Sequence, residues 1–421
     1  MTLPWASEKD FEVRQLPDFL HNRLLDWQRR NFPDEYGYLM RRWPDFYRAQ
    51  SPFRLVAKLG PLRSEMIEVG RFQGRPRFHR ASELDAEMIV QTAKIIKAQC
   101  STELGSIQQH RESILKAQDP KMQFDMMRIM AEEFRHAYQM LFVLADDDWG
   151  VGKDLAAETV ESLLGMRTGD HVLDAFNLFF DSFVDNVAFT AIIDRVGKYQ
   201  LDMQLTFSYA PMARSMSPML YEEAFHIASG VNPLRQWAVE GARGEGNVST
   251  ELIQQHLNKW VPRGLEMFGD ERGGKTVVDF GFKDKTNREA AEVYHQELKV
   301  ELVDTLNYEV LRLFDAAVDR LAAPVIADRV LGTGEAWKGC RPDQLFLRPA
   351  ASFFRRRGGH AFEMNDVRGK PFAKDEDYLS YLRRNLPDGY ITGPDFKVYG
   401  DNLKAKREGK DVQEGGLPFY G

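Results

Sequence analysis

Between residues 81 and 230 apolar side chains recur every three or four positions, the period of helices with one buried face. One stripe runs through Met122, Met126 and Ile129 and resumes at Met140 and Leu144. A second passes through Met212, Met216 and Met219, a third through Ile89 and Ile96, and a fourth through Phe180, Phe183, Val187 and Ala191. The pattern predicts two helical hairpins, with Ser82 and Asp85 resembling a capping box that opens the first helix. Residues 1–80 are aromatic and mixed, with a β-hairpin expected around 68–75. A Gly-rich stretch at 263–282 interrupts the helical pattern, which resumes from 287 to about 321 and stops before Pro324. The last hundred residues, rich in Gly and Pro, read as irregular structure wrapped on the bundle. The expected organisation is an N-terminal extension (1–80), a helical domain (81–325) and a C-terminal extension (326–421).

Acids stand where these stripes call for core residues. Glu103, Glu133, Asp194 and Glu223 each continue an apolar face. A buried, unpaired carboxylate costs several kcal/mol or goes neutral, so four in register point to cations rather than to four separate salt bridges. Two of the acids open the same motif, Glu133-Phe-Arg-His136 and Glu223-Ala-Phe-His226, ninety residues apart. Residues three apart on a helix share a face, so each motif offers a carboxylate and an imidazole to one metal. The missing acids lie 30 and 29 residues upstream, at Glu103 and Asp194. That interval fits two half-helices and a short loop in an antiparallel hairpin. Four carboxylates and two histidines are the ligand set of a two-iron site in a four-helix bundle.

Two competitors are set aside on spacing. A third motif, Glu292-Val-Tyr-His295, has Arg263 where a partner acid would be needed, and it reads as a solvated helix face. Asp185 precedes Asp194 by nine residues, about half a turn out of phase on a helix, and would lengthen the second interval to 38 residues.

The 421 residues are 43% hydrophobic and 28% charged, with a net charge of −7 that gives no global attraction to nucleic acid or anionic membrane. Two cysteines, Cys100 and Cys340, are too few for a disulfide framework or an iron–sulfur cluster. No apolar run reaches the ~20 residues of a membrane span, and the polar segment after Met1 is no secretory leader, so a cytoplasmic location is expected. No Gly-x-Gly-x-x-Gly follows a strand, so electrons are expected from a separate NAD(P)H-dependent reductase carrying flavin or iron–sulfur centres. Eight of the 16 methionines lie within about a dozen residues of the two motifs, where they could form an apolar chamber or plain core. Gln99, one turn before Glu103, is the candidate polar contact to a substrate or to a ligand carboxylate. Arg355-Arg356-Arg357 reads as a solvated basic cluster.

The segments Glu132-Glu133-Phe-Arg-His136, Ile193-Asp194-Arg195-Val-Gly197-Lys198-Tyr199-Gln200-Leu201 and Glu222-Glu223-Ala-Phe-His226 resemble the ligand helices of the oxygenase component of benzoyl-CoA 2,3-epoxidase. They are more distantly similar to the catalytic subunit of phenylacetyl-CoA epoxidase. The helix with Gln99, Thr102, Glu103, Ser106 and Gln109 fits the same pattern, and the likeness covers about residues 60–290. The resemblance implies a mainly α, ferritin-like fold with two iron ions on Glu103, Glu133, His136, Asp194, Glu223 and His226. It also implies O2 as co-substrate, catalytic carboxylates Glu103, Glu133 and Glu223, and epoxidation of an aromatic acyl-CoA ring. The alternatives are a di-iron monooxygenase or N-oxygenase acting on a non-CoA aromatic substrate, and a non-catalytic ferritin-like iron-binding protein.

Overall fold

Two amphipathic helices, α1 (Asp18–Asn31) and α2 (Pro33–Phe46), open the N-terminal region and turn Leu20, Leu24, Trp27, Leu39 and Trp43 inward. The computed structural model describes residues 4–48, 52–166, 171, 173–269 and 274–412, and of residues 33–36 the backbone alone. Trp27 stacks on Phe134 with centroids 5.6 Å apart, anchoring the N-terminal helices to the bundle behind them. Among the described residues the sheet consists of β1 (Glu12–Arg14) and β2 (Ala57–Leu59), paired antiparallel. Around the hairpin expected at 68–75 the flanks pair antiparallel over a short stretch, with a bridge between Met66 and Pro76 and backbone bonds from Ile67 to Arg75 and from Arg77 to Glu65, too short to count as strands.

Four long helices form the bundle. In the first hairpin α3 (Ala86–Ser113) lies against α4 (Pro120–Ala145); α5 (Leu155–Leu164) follows, and in the second hairpin α6 (Phe183–Gln204) lies against α7 (Ala210–Arg243). Side-chain caps set three starts. Asp85 accepts from the Met88 amide at 2.9 Å, so Asp85 itself is the N-cap of α3 rather than the end of a box begun at Ser82. Asp119 receives the Lys121 amide at 2.5 Å before α4, whose first residue is Pro120, and Ser182 receives the Asp185 amide at 3.2 Å before α6. Gly244, left-handed at φ 72°, ends α7. The α6–α7 pair is the most extensive helix contact. Gly230 permits it, because a Cβ there would stand 2.3 Å from the Ala191 amide nitrogen. Gly230 lies one turn beyond His226 and Ala191 one turn before Asp194, so this approach sets the register of the second hairpin. The fold is mainly α and of the ferritin-like bundle type.

Later elements brace this core. Helix α8 (Thr250–Met267) crosses α6 and includes Arg263, so the stretch read as Gly-rich and non-helical is helical at its start. A short α9 (Gly274–Asp279) follows, then α10 (Asn287–Glu297), a π-helical segment (Leu298–Val303) and α11 (Asp304–Phe314), ending earlier than the pattern suggested. The C-terminal region is less irregular than expected: it carries α12 (Ala323–Thr333), α13 (Asp375–Asn385), α14 (Asp388–Thr392) and α15 (Pro394–Arg407). Arg355 and Arg356 are buried, not solvated. Arg356 pairs with Asp395 at 3.0 Å, its amide donates to Glu266 at 2.6 Å, and the half-buried Arg357 reaches Asp174 at 3.0 Å. Among the described residues no helix is long and apolar enough to cross a membrane.

Asp185 is fully buried beneath α8. Lys259 Nζ donates to its Oδ2 at 2.6 Å and Trp260 Nε1 to its Oδ1 at 2.5 Å. Burial alone would raise its carboxyl, but the Lys259 charge, then His256, hold it below the usual range. A depressed carboxylate stabilises the fold above its unfolded pKa and loses that contribution as pH falls through the folded one, so the pair is at full strength at neutral pH. Asp185→Ala strands the Lys259 ammonium and should cost about 3–5 kcal/mol, read from urea midpoints at pH 7. A loss of metal-binding capacity with no loss of stability would instead assign Asp185 to the site expected at Asp194.

Candidate metal centre

At mid-height of the bundle the two Glu-x-x-His motifs face each other from α4 and α7. The imidazoles of His136 and His226 lie 5.6 Å apart between ring centres, tilted by 33°. Glu133 turns one oxygen to each: Oε2 is 3.7 Å from His136 Nδ1 and Oε1 is 3.5 Å from His226 Nδ1. Glu223 mirrors it, with Oε1 3.8 Å from His136 Nδ1 and Oε2 3.7 Å from His226 Nδ1. From α3, Glu103 Oε2 approaches His136 Nδ1 at 3.5 Å. Two sets of donor atoms thus lie within 4.8 Å of one another, Glu103–Glu133–His136 and Glu133–Glu223–His226, sharing Glu133. Asp194, from α6, stands beside the second set and feels the charges of Glu133, Glu223 and His226 without belonging to either group.

The donor set fits two divalent cations on two counts. Four donor atoms, His136 Nδ1, His226 Nδ1, Glu223 Oε2 and Asp194 Oδ2, are buried with no hydrogen-bond partner. The charge is equally unresolved. Burial pushes Glu103 up to about 7; burial, then the neighbouring Glu103, drives Glu133 well above the carboxylate range; and burial with Glu133 and Glu223 nearby does the same to Asp194. Protons therefore stand where positive charge is needed, and carboxylate and imidazole donors suit iron among the divalent metals.

Two further residues were missed by sequence reasoning. Glu132 and Glu222, each directly before a candidate ligand, cross over to the opposite motif. Glu132 Oε2 accepts from His226 Nε2 at 3.1 Å, and Glu222 Oε2 accepts from His136 Nε2 at 3.1 Å. A proton held on Nε2 leaves the Nδ1 lone pair free to face the cluster. Each acid is itself held by an arginine, Glu132 by Arg128 Nε at 2.9 Å and Glu222 by Arg135. Burial works against the Glu132 charge, but the His226 bond and Arg128 bring its carboxyl down to about 2. The histidines then differ. Burial opposes charging His226, yet its hydrogen bond to Glu132 and the nearby carboxylates of Glu223 and Glu133 raise it well above 6.5, whereas burial takes His136 down to about 3. The signal was the Glu-Glu doublet repeated in both motifs.

The remaining candidates fall elsewhere. Gln99 Oε1 is buried without a partner, and no hydrogen bond joins Gln99 to a candidate ligand among the described residues. Gly197, one turn beyond Asp194, leaves room for Glu223: a Cβ there would come within 3.4 Å of Glu223 Oε1. In the third motif Glu292 is solvated, while His295 is half-buried, sharing a hydrogen bond with the Pro349 carbonyl at 2.8 Å, and burial lowers it to about 4. A cavity of about 540 Å³ reaches Glu132 and Glu222 from the outer side of the bundle.

No family model matches the chain. Over 348 residues, 75% of this chain and 72% of the relative, it is 27% identical to the benzoyl-CoA oxygenase component B of Aromatoleum evansii, and is thus a distant relative of an oxygenase component.

Proposed function

We propose that the chain is the oxygenase component of a multicomponent enzyme that adds one atom of O2 to the ring of an aromatic acyl-CoA of the benzoyl-CoA kind, giving an epoxide. The observation that carries the reading is the pair Glu133 and Glu223, each presenting one oxygen to each histidine Nδ1, in a chain related to a benzoyl-CoA oxygenase component. In this reading Glu103 and His136 would hold one iron and Asp194 and His226 the other, with Glu133 and Glu223 available to both. Two ferrous ions held there would supply electrons to O2 and make one of its atoms reactive toward the ring.

The protein's own share is placement and charge. Glu132 and Glu222 keep both imidazoles turned with Nδ1 inward. Arg128 and Arg135 form ion pairs with those acids. Met126, Ile129, Met130 and Met216, on the same two helices as the motifs, are buried with the donor set in the apolar interior. The overall change is ring plus O2, two electrons and two protons to epoxide plus water, so each turnover needs two electrons from outside. A relative named component B belongs to a system with another component, and an NAD(P)H-dependent reductase with flavin or iron–sulfur centres is the proposed source.

Protein produced with iron should carry close to two iron ions per chain by elemental analysis. Glu133→Ala and His226→Ala should each lose at least half of it, while Glu292→Ala leaves it intact; the opposite ranking would transfer the site to the third motif. Glu132→Gln keeps the size of the side chain but weakens its hold on His226, and should lower iron affinity about 10- to 100-fold in a competition titration with a chelator. An unchanged affinity would leave the crossed hydrogen bonds without a role in binding.

The reaction itself is read in a single turnover. Chemically reduced, iron-loaded protein is mixed with benzoyl-CoA and 18O2 and the products weighed by mass spectrometry. One labelled oxygen atom in the thioester is the expected outcome. Label found only in a free aromatic acid or amine offered alongside would replace the CoA substrate. Iron oxidised to a mineral with every organic molecule unlabelled would replace the oxygenase.

A further inference from the structure

The outer cavity is floored by Glu132 and Glu222, the carboxylates bonded to His226 and His136, so it communicates with both halves of the centre while lying on the Nε2 side of the rings. That side is the wrong one for a ring to be oxygenated, because each imidazole and its acid stand between the cavity and the donor atoms that face inward. It is a suitable side for electrons. A path of two hydrogen bonds leads from Arg128 through Glu132 to His226, and the Arg128 guanidinium lies over Phe225 at 3.7 Å and over Tyr47 at 4.8 Å.

The charge at the mouth is also distinctive. The lining carries four cations, Arg54, Lys58, Arg128 and Arg135, against Glu8, Glu132 and Glu222. Arg128 and Arg135 are taken up by the two floor acids. Lys58 keeps only a long 3.4 Å contact to Glu222, and Arg54 is exposed with no ion pair among the described residues. On a chain of net charge −7, this cationic rim offers local attraction to an acidic protein.

We propose that this cavity is the docking site of the electron-donating component, and that the donor presents an acidic surface around its redox group to Arg54 and Lys58. The inference rests on the oxygenase reading above and adds the place at which its electrons enter. Docking over the rim puts the donor against the only protein groups that touch the Nε2 atoms of both histidines among the described residues.

The test uses full-length, iron-loaded protein and two reductants, a reduced [2Fe–2S] ferredoxin of acidic surface and dithionite, with reduction of the ferric centre followed by stopped-flow absorbance. The double variant Arg54→Glu with Lys58→Glu is compared with wild type and with Arg329→Glu, a charge reversal on an exposed helix face far along the chain. Ferredoxin should reduce the double variant about tenfold more slowly than wild type, the scale on which rim charges alter association, and salt should slow wild type far more than the double variant. Arg329→Glu should behave as wild type, and dithionite should reduce all three alike, which also shows that the double variant is folded and loaded. Equal ferredoxin rates in the three proteins overturn the docking site, as does a wild type that dithionite reduces and the acidic donor does not. A centre that even dithionite cannot reduce would instead count against the oxygenase reading.

Discussion

Four carboxylates packed into one apolar cross-section cannot all stay ionised unless positive charge is brought among them, and the rest of the molecule is arranged around that demand. Glu103, Glu133 and Asp194 all have carboxyls raised by burial and by one another. A fold optimised only for stability would replace them with apolar residues of similar size. Their retention in register, with imidazole nitrogens left unpaired between them, is a cost that a pair of metal ions would offset. The contrast with Asp185 is instructive. It is equally buried on the same helix, but Lys259 and Trp260 satisfy both of its oxygens, and its carboxyl is lowered instead.

The two hairpins are tied to each other at the depth of the centre by the crossed bonds. Glu132 of α4 holds the histidine of α7, and Glu222 of α7 holds the histidine of α4. Neither motif can therefore set its imidazole alone, and a shift of one helix along the other would release both rings at once. Arg128 and Arg135 extend the arrangement outward to aromatic faces, Phe225 and Tyr47 for Arg128 and Phe53 for Arg135. A polar network is tolerated in such a core when its members find partners, and these find them in chains that run from ring to surface.

The convergence of Glu103, Glu133, His136, Glu223 and His226 was legible in the sequence because each is a polar residue inside an apolar stripe of known period. The half-turn offset likewise separated Asp194 from Asp185. Glu132 and Glu222 were not legible by the same rule. They lie 100° from their neighbours and would be expected outside, but α4 is buried on every face from Met126 to Leu144, so Glu132 lands in the interior, and on α7 Glu222 is buried beside Glu223. The basic triplet failed for a different reason. Its acids, Glu266, Asp174 and Asp395, are 39 to 183 residues away in the chain, and no local pattern announces them. Short helices such as α13 and α14 were lost among the Gly and Pro that separate them, since few turns carry little periodicity.

What lies outside the four helices is best understood as bracing against the repulsion inside them. Helix α8 grips α6 at Asp185, nine residues before Asp194. The C-terminal region in turn grips α8: Asn258 donates to the Asn385 carbonyl at 2.8 Å, Gln254 to the Leu347 carbonyl at 3.0 Å, and Arg263 to the Phe354 carbonyl at 2.5 Å. On the opposite side β2 bridges α4 and α7, with the Lys58 amide donating to Gln139 at 2.5 Å and Gln139 passing a bond to Ser215 at 2.9 Å. Three of the four bundle helices are thus held from outside by contacts made within a few turns of the candidate ligands. A bundle stabilised by its apolar stripes alone could spread to let water reach four buried carboxylates, and in that state the donor atoms would no longer converge. The extensions remove that escape, which gives the residues outside the hairpins a physical reason to be there.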